Sequence, residues 1–548
     1  MNKRFVLLSL LVFIVAIFAL PAFAQEDSWM KAEAPDCEYG GLLKSIEAVD
    51  ALTVKFTLCA PDGVFPLRVA LSNFAIQSSE YLESTGGGMD LVMNPVGTGP
   101  YKLEAWNQGS EIVLSRFDGY HGEAAIEPTV IFRWNAEAAA RLIELQSGNV
   151  DGIDNPAPTD FATIAGDSAL QLLPRQGQNI FYVGFNNTIA PFDNVNVRQA
   201  IAYAIDRQRI VEDYYPVGSE VATQFMPPSI PSGYTPEVEP LPYDPEMARQ
   251  LLAESGLELP LEVTLNYRDV VRGYLPTPGV VAEDIRAQLA EVGINVTIEV
   301  VESGTFLDRA DLGELGFYLL GWGADYPDAT NFLDYHFGAG ASPQFGEKYP
   351  EITDRLIAAA QVAGLEERNA IYAEVNELLR DNVPMIPVAH GSSGVAFKAS
   401  VTGALASPLG NEVFSIVEDP DDDTLIWMQN GEPAGLYCAD ETDGEALRVC
   451  EQISESLLGF APGTTDLIPS LAVSYEASED AMEYTFTLKE GVTFHDGTTL
   501  DANDVVMSYL VQWDASHPLH VGRAGSFAYF TGIFGAFLNA PVEETTEG

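Results

Sequence analysis

Apolar and polar residues alternate from Thr53 to Leu58, with Val54, Phe56 and Leu58 set against Thr53, Lys55 and Thr57, which predicts a half-buried strand. Glu111 to Phe117, Leu261 to Leu265 and the alternation through Val296, Ile298 and Val300 predict further strands. Helical spacing takes over elsewhere. Ala139, Leu142, Ile143 and Gln146 share one face; Val197, Ala200, Ile201, Ala204 and Ile205 form a stripe on a helix from Val197 to Glu212; Val281, Ile285 and Leu289 do so from Val280 to Val292. Asp244-Pro245-Glu246 is a helix start and Gly256 its stop. Helices from Glu351 to Ala363 and Leu365 to Asp381 precede a short return strand at Pro384 to Val388. Strands alternating with helices define an α/β chain, in which ligands bind at the C-terminal ends of strands. The stretch Gly321 to Leu333, GWGADYPDATNFL, follows the apolar run Leu315 to Leu320 and falls at such an end.

The 548 residues, 47% of them hydrophobic, are enough for more than one lobe. Lys3 and Arg4, the apolar run Phe5 to Leu20 and Ala22-Phe23-Ala24 make the pattern of a cleaved secretory signal peptide over residues 1–24, with Gln25 as the new start. No later stretch is apolar over the roughly eighteen residues a membrane span needs, so no span is expected beyond the leader. Four cysteines in an exported chain pair in three ways; local spacing favours Cys37 with Cys59 and Cys438 with Cys450, against unpaired buried thiols. The charge changes the picture most. Eighty acidic against 27 basic residues give a net of −53, which repels nucleic acid and anionic headgroups.

In the stretch 321–333, Trp322 and Asp325 set a carboxylate beside an indole, an arrangement suited to an ammonium group because a charge-assisted hydrogen bond is weakly screened once buried. The plainer reading is a strand-to-loop turn with Asp325 as a cap. Neither a nucleophile nor a metal cluster accompanies it. Phe494-His495-Asp496-Gly497 reads as a hydrogen-bonded turn, and His390-Gly391-Ser392-Ser393-Gly394 has the wrong spacing for a nucleophile elbow. No catalytic residue, cofactor or metal is assigned.

The same stretch resembles the ligand loop of the family 5 extracellular solute-binding proteins, the dipeptide- and oligopeptide-binding proteins of ABC importers. NPVGTGPY at Asn94 to Tyr101, the helix leading into GNVDGID, GFNN followed by NVRQA, and the FHDG turn are similar to family segments. The resemblance implies a two-lobed, mixed-sheet α/β architecture of the periplasmic-binding-protein type II kind, closing on a hinge around a cleft. It also shows the order of the chain to be unusual. Glu455 to Val506, with ESLLGF, YTFTLKEGVTFHDG and DANDVV, resembles the family's opening segment, yet stands last. Placing residues 424–540 ahead of residue 37 restores the family order, which reads as a circular permutation; a reordered gene assembly is the alternative. The expected layout is a leader linker at 25–36, lobe I at 37–230, lobe II at 231–388 after the proline-rich stretch Met226 to Tyr243, a return at 389–417, an acidic linker at 418–423, the rest of lobe I at 424–540 and an acidic tail at 541–548.

By the resemblance, Trp322 lines the pocket, Asp325 holds a peptide's free amino group, and Thr442, Asp443 and Gly444 lie along the peptide backbone. A capping cluster is the structural alternative for the last three. The arginine that meets the peptide carboxylate in dipeptide-specific members has no counterpart in PTPGVVAE, Pro276 to Glu283; Arg268 and Arg272 lie just upstream. The implied function is extracytoplasmic capture of peptides, in the periplasm or cell envelope, by a monomer that docks on an ABC permease. A non-peptide solute such as a metal chelate or opine, and a secreted hydrolase pairing Asp325 with Asp328, are the alternatives.

Overall fold

The computed structural model describes residues 29–362 and 364–540, so the leader before Gln25 and the acidic tail lie outside the described residues. Three main sheets carry the chain. Lobe I holds two of them. In one, Lys31–Glu33, Leu43–Asp50, Thr53–Leu58, Glu483–Leu488 and Ala472–Ala477 lie side by side, all antiparallel. Alternation at Thr53–Leu58 holds as expected, with Val54, Phe56 and Leu58 buried. The leader linker expected at 25–36 is corrected there: Lys31–Glu33 pairs with Leu43–Asp50 as an edge strand.

The second sheet of lobe I has seven strands, in the order Tyr101–Asn107, Glu111–Arg116, Thr129–Trp134, Thr424–Gln429, Gly152–Asp154, Ser393–Lys398 and Leu170–Arg175. Its central strand, Thr424–Gln429, runs parallel to both neighbours. Leu425 and Trp427 on it are fully buried, each contributing about 2–3 kcal/mol by removal from water. The strand that opens the 424–540 segment is therefore built into the middle of lobe I.

Lobe II is a six-stranded sheet in the order Glu220–Val221, Met385–His390, Asn179–Phe185, Phe317–Gly323, Leu261–Tyr267 and Ile294–Val300. The last three run parallel, with Pro278–Glu291 as the helical crossover between Leu261–Tyr267 and Ile294–Val300. Asn179–Phe185 already belongs to this sheet, so the chain changes sheets at 175–179 and not at residue 231. The proline-rich stretch marks an irregular connection within lobe II, because proline disfavours both helix interiors and central strands.

Two segments pass between the sheets, 175–179 and 390–393, and they touch. Asn179 imitates a strand partner: its Nδ2 donates to the Gly391 carbonyl at 2.7 Å and its Oδ1 accepts from the Gly391 amide at 2.8 Å. A side chain on Gly177 would collide with the Gly391 carbonyl, so the close approach requires glycine. This paired crossover has the form of a hinge.

Other expectations change in detail. The helix expected from Val197 to Glu212 is two, Val195–Ala204 and Arg207–Tyr214, because Asp206 accepts from the Arg209 amide and starts a new helix. In Ala138–Gln146, Ile143 is exposed while Arg141 is buried, donating to the carbonyls of Asp154, Asn155, Asn135 and Ala136. Within the acidic run 418–423, Asp419 is buried: its amide donates to Glu127 and its carboxylate lies 3.6 Å from Lys398. The run is thus anchored at that residue. Both cysteine pairs favoured by spacing are formed, Cys37–Cys59 and Cys438–Cys450.

Candidate ligand site between the lobes

Strand Phe317–Gly323 delivers Trp322 and then Asp325 to the seam between the lobes. Immediately after it, the Ala324 amide donates to the Gln178 carbonyl at 2.7 Å, tying this loop to the hinge segment. Asn331 organises the turn. Its Oδ1 accepts from the Asp325 amide at 2.9 Å and from Trp322 Nε1 at 3.3 Å, while its Nδ2 donates to Asp325 Oδ2 at 2.8 Å. The Trp322 indole stacks on Tyr335, with ring centroids 4.3 Å apart. One polar side chain thereby fixes both residues that the sequence singled out.

Asp325's other oxygen meets lobe I. Tyr529, on helix Ala528–Phe534, donates its hydroxyl to Asp325 Oδ1 at 2.8 Å. Burial pushes the Asp325 carboxyl above its ordinary range, against the pull of Asn331 and Tyr529. A carboxylate offers about four acceptor positions, and two of Asp325's are used. The remainder suit a further donor, and a cation best, since a buried carboxylate left without one is costly to ionise.

Asp328 has a different role. It accepts from the Thr330 amide and hydroxyl, each at 3.0 Å, and forms a buried ion pair with Arg368 at 2.6 Å. Its charge is committed to holding the turn, so the pairing of Asp325 and Asp328 as two working carboxyls has no support in the geometry.

On lobe I, Asp443 caps helix Gly444–Ile453 by accepting from the Ala446 amide at 2.8 Å, as the capping alternative expects. Burial pushes its carboxyl up to about 6, the Ala446 amide opposes this, and Glu445 and Glu441 add to it. The Tyr529 phenol is raised chiefly by burial and then by Asp325, with Asp443 contributing as well, so all three groups share one neighbourhood. Thr442 and Gly444 are exposed beside them. The preceding residues are held to the segment 523–527. Asp440 accepts from the amides of Ala524, Gly525, Ser526 and Phe527, and Glu441 holds Arg523 through two 2.8 Å bonds.

Arg268 is half-buried just past strand Leu261–Tyr267, donating to Ser303 Oγ and the Tyr274 hydroxyl at 3.0 Å each. Arg272 is exposed, and its guanidinium donates to the neighbouring Val271 carbonyl. Among the described residues neither guanidinium has a carboxylate among these partners. Tyr529 and Asn331 were not singled out from sequence. Asn331 sits within the key stretch, where an amide six residues from the aspartate is the available signal; Tyr529 comes from the far end of the chain and carried none. His495 is a structural turn residue, its Nδ1 accepting from the Gly97 amide and its Nε2 facing the Gly99 carbonyl at 3.0 Å. No group of metal-ligating side chains occurs among the described residues.

A hinge of two paired crossovers with a half-buried carboxylate at the seam defines a two-lobed solute-binding protein. The comparisons with known proteins agree. The model of the bacterial extracellular solute-binding proteins, family 5, matches residues 22–344 and 466–527, and the chain belongs to this family. It is 32% identical to the dipeptide-binding protein of Escherichia coli K12 over 69% of this chain and 71% of that protein. It is 34% identical to heme-binding protein A of Haemophilus influenzae over 68% of this chain and 69% of that one. Among solved structures it resembles the DppA periplasmic binding protein of Helicobacter pylori in complex with the peptide STSA, at 29% identity and a TM-score of 0.61, covering 69% of this chain and 74% of that chain. The architecture is the type II periplasmic-binding-protein α/β fold. The family consists of solute-binding proteins and not enzymes, its members act outside the cytoplasm, and no helix among the described residues is long and apolar enough to cross a membrane.

Proposed function

We propose that this protein captures short peptides by their free amino group and presents them, closed between its lobes, to the permease of an ABC importer. The observation that carries the reading is Asp325: a half-buried carboxylate on lobe II, braced by Asn331 and reached by Tyr529 of lobe I. An ammonium group adds a charge-assisted bond at the remaining acceptor positions. Trp322 forms an apolar wall, and backbone groups at Thr442, Asp443 and Gly444 run alongside the peptide, giving affinity without reading side chains. Arg268 meets the peptide carboxylate by exchanging its neutral partners for a charged one, whereas Arg272 is too exposed to contribute much. Ligand touching both lobes shifts the population towards closure. The protein acts as a monomer outside the cytoplasmic membrane, its leader removed after Ala24.

A second reading is favoured by one relative, the heme-binding protein at 34% identity: the same cleft takes a non-peptide solute. A thermal-shift screen of di- to pentapeptides with haemin alongside separates the two. Peptides should raise the melting temperature with a clear length preference; a shift from haemin alone would overturn the peptide reading and leave the family unchanged.

A further inference from the structure

The residue after Asp325 points the other way into lobe I. Tyr326 belongs by sequence to the loop of lobe II, yet it is only 2% exposed and sits in the aromatic core of lobe I that contains Phe65 and Phe534. Arg68 of lobe I donates to its hydroxyl at 3.0 Å and lies over its ring, 5.4 Å from the centroid. Arg68 is itself held by Asp62 at 2.7 Å and by the Ile533 carbonyl at 3.0 Å. Ile533 lies on the helix that carries Tyr529. Two consecutive residues of lobe II are thus tied to one short helix of lobe I, Asp325 near its start and Tyr326, through Arg68, near its end. Thr330 lies 3.1 Å from the Tyr326 hydroxyl and connects it to the Asp328–Arg368 pair.

We propose that Tyr326 is a positioning residue for ligand capture: seated in lobe I against Arg68, it sets how far the lobes close over the ligand that Asp325 holds. This rests on the reading of Asp325 as the amine acceptor. Burying a tyrosine ring stabilises closure whatever the ligand's side chains, so affinity depends on a side chain that does not touch the peptide. Selection for a free amine stays with Asp325.

The test uses trialanine, its N-acetylated form and the full protein carrying Tyr326→Ala or Tyr326→Phe, with affinity and small-angle X-ray scattering read together. Tyr326→Ala should weaken trialanine binding by about tenfold or more and enlarge the radius of gyration with and without peptide, while the ratio of free to acetylated affinity stays as in the wild type. Tyr326→Phe keeps the ring, folds, and loses the hydroxyl's bonds to Arg68 and Thr330; about a threefold to tenfold loss is expected. Wild-type affinity in the Phe variant together with wild-type scattering in both would overturn the proposal. If trialanine fails to bind the wild type, the peptide reading is what fails, and the scattering of the unliganded variants still decides whether Tyr326 sets closure.

Discussion

The phenol of Tyr529 on lobe I donates a hydrogen bond to the Asp325 carboxylate on lobe II at 2.8 Å. Because that bond stabilises the ionised form, it opposes the rise that burial imposes on Asp325. Amine capture needs the carboxylate charged, so peptide affinity should fall as pH drops through this raised value, above the ordinary aspartate pKa of about 3.9. Tyr529→Phe should move that acid limb to higher pH and weaken binding roughly threefold to tenfold at neutral pH. Titration calorimetry from pH 4 to 8 checks both, and an unmoved limb would show that the bond does not tune Asp325.

Asp334 stands at the seam with one carboxylate oxygen lacking a hydrogen-bond partner. Burial pushes it up to about 7, with Asp328 adding to the rise while Arg68 and Arg368 oppose it and Asp62 adds again. The folded protein holds this proton up to about pH 7, whereas the unfolded chain releases it near 4. Stability from this group is therefore full below about pH 4 and lost as pH rises to 7. Asp334→Asn should flatten that slope and raise the melting temperature at pH 7 relative to the parent; an unchanged slope would place the carboxyl in water.

Lobe I contains a buried ionic cluster, with Arg448 bridging Asp154 at 2.9 Å and Glu412 at 2.8 Å while Arg175 meets the same two carboxylates. Removing one member leaves buried charge uncompensated, so Arg448→Ala should cost about 3–5 kcal/mol in urea unfolding. The exposed Arg249–Glu246 pair provides the contrast: Arg249→Ala should change stability by less than about 1 kcal/mol.

The segment from 424 to 540 ends beside the chain's early residues, where the Leu42 amide donates to the Phe534 carbonyl at 2.7 Å. A chain reordered to run 424–540 and then 37–417 should fold to the same two lobes, since the new junction falls beside the Phe534–Leu42 contact. Its circular dichroism and peptide affinity should match those of the parent. A reordered chain that fails to fold would mean that the present order is itself needed.

Local patterns carried the strands and most helices, because alternation at Thr53–Leu58 and the proline start at Asp244–Pro245 are set by near neighbours. Trp322 and Asp325 were singled out for a different reason, the resemblance of one stretch to a family loop. What sequence could not show depended on distant contacts. Asn179 looks like an ordinary strand residue, yet its amide pairs the two crossovers, 212 residues apart in the chain. Tyr529 lies 204 residues from Asp325, and Tyr326 reads as part of a Tyr-Pro-Asp turn although its ring is buried in the other lobe. Prolines misplaced the lobe boundary because they report local irregularity and carry no information about which sheet a strand joins.

The most direct test is calorimetry of trialanine and N-acetyl-trialanine at pH 7 on the wild type and on Asp325→Asn. Capture of the amine by Asp325 predicts saturable binding of trialanine, a loss of at least about thirtyfold on acetylation, and no difference between the two peptides in the variant. Equal binding of both peptides to the wild type, with the variant unchanged, would contradict it.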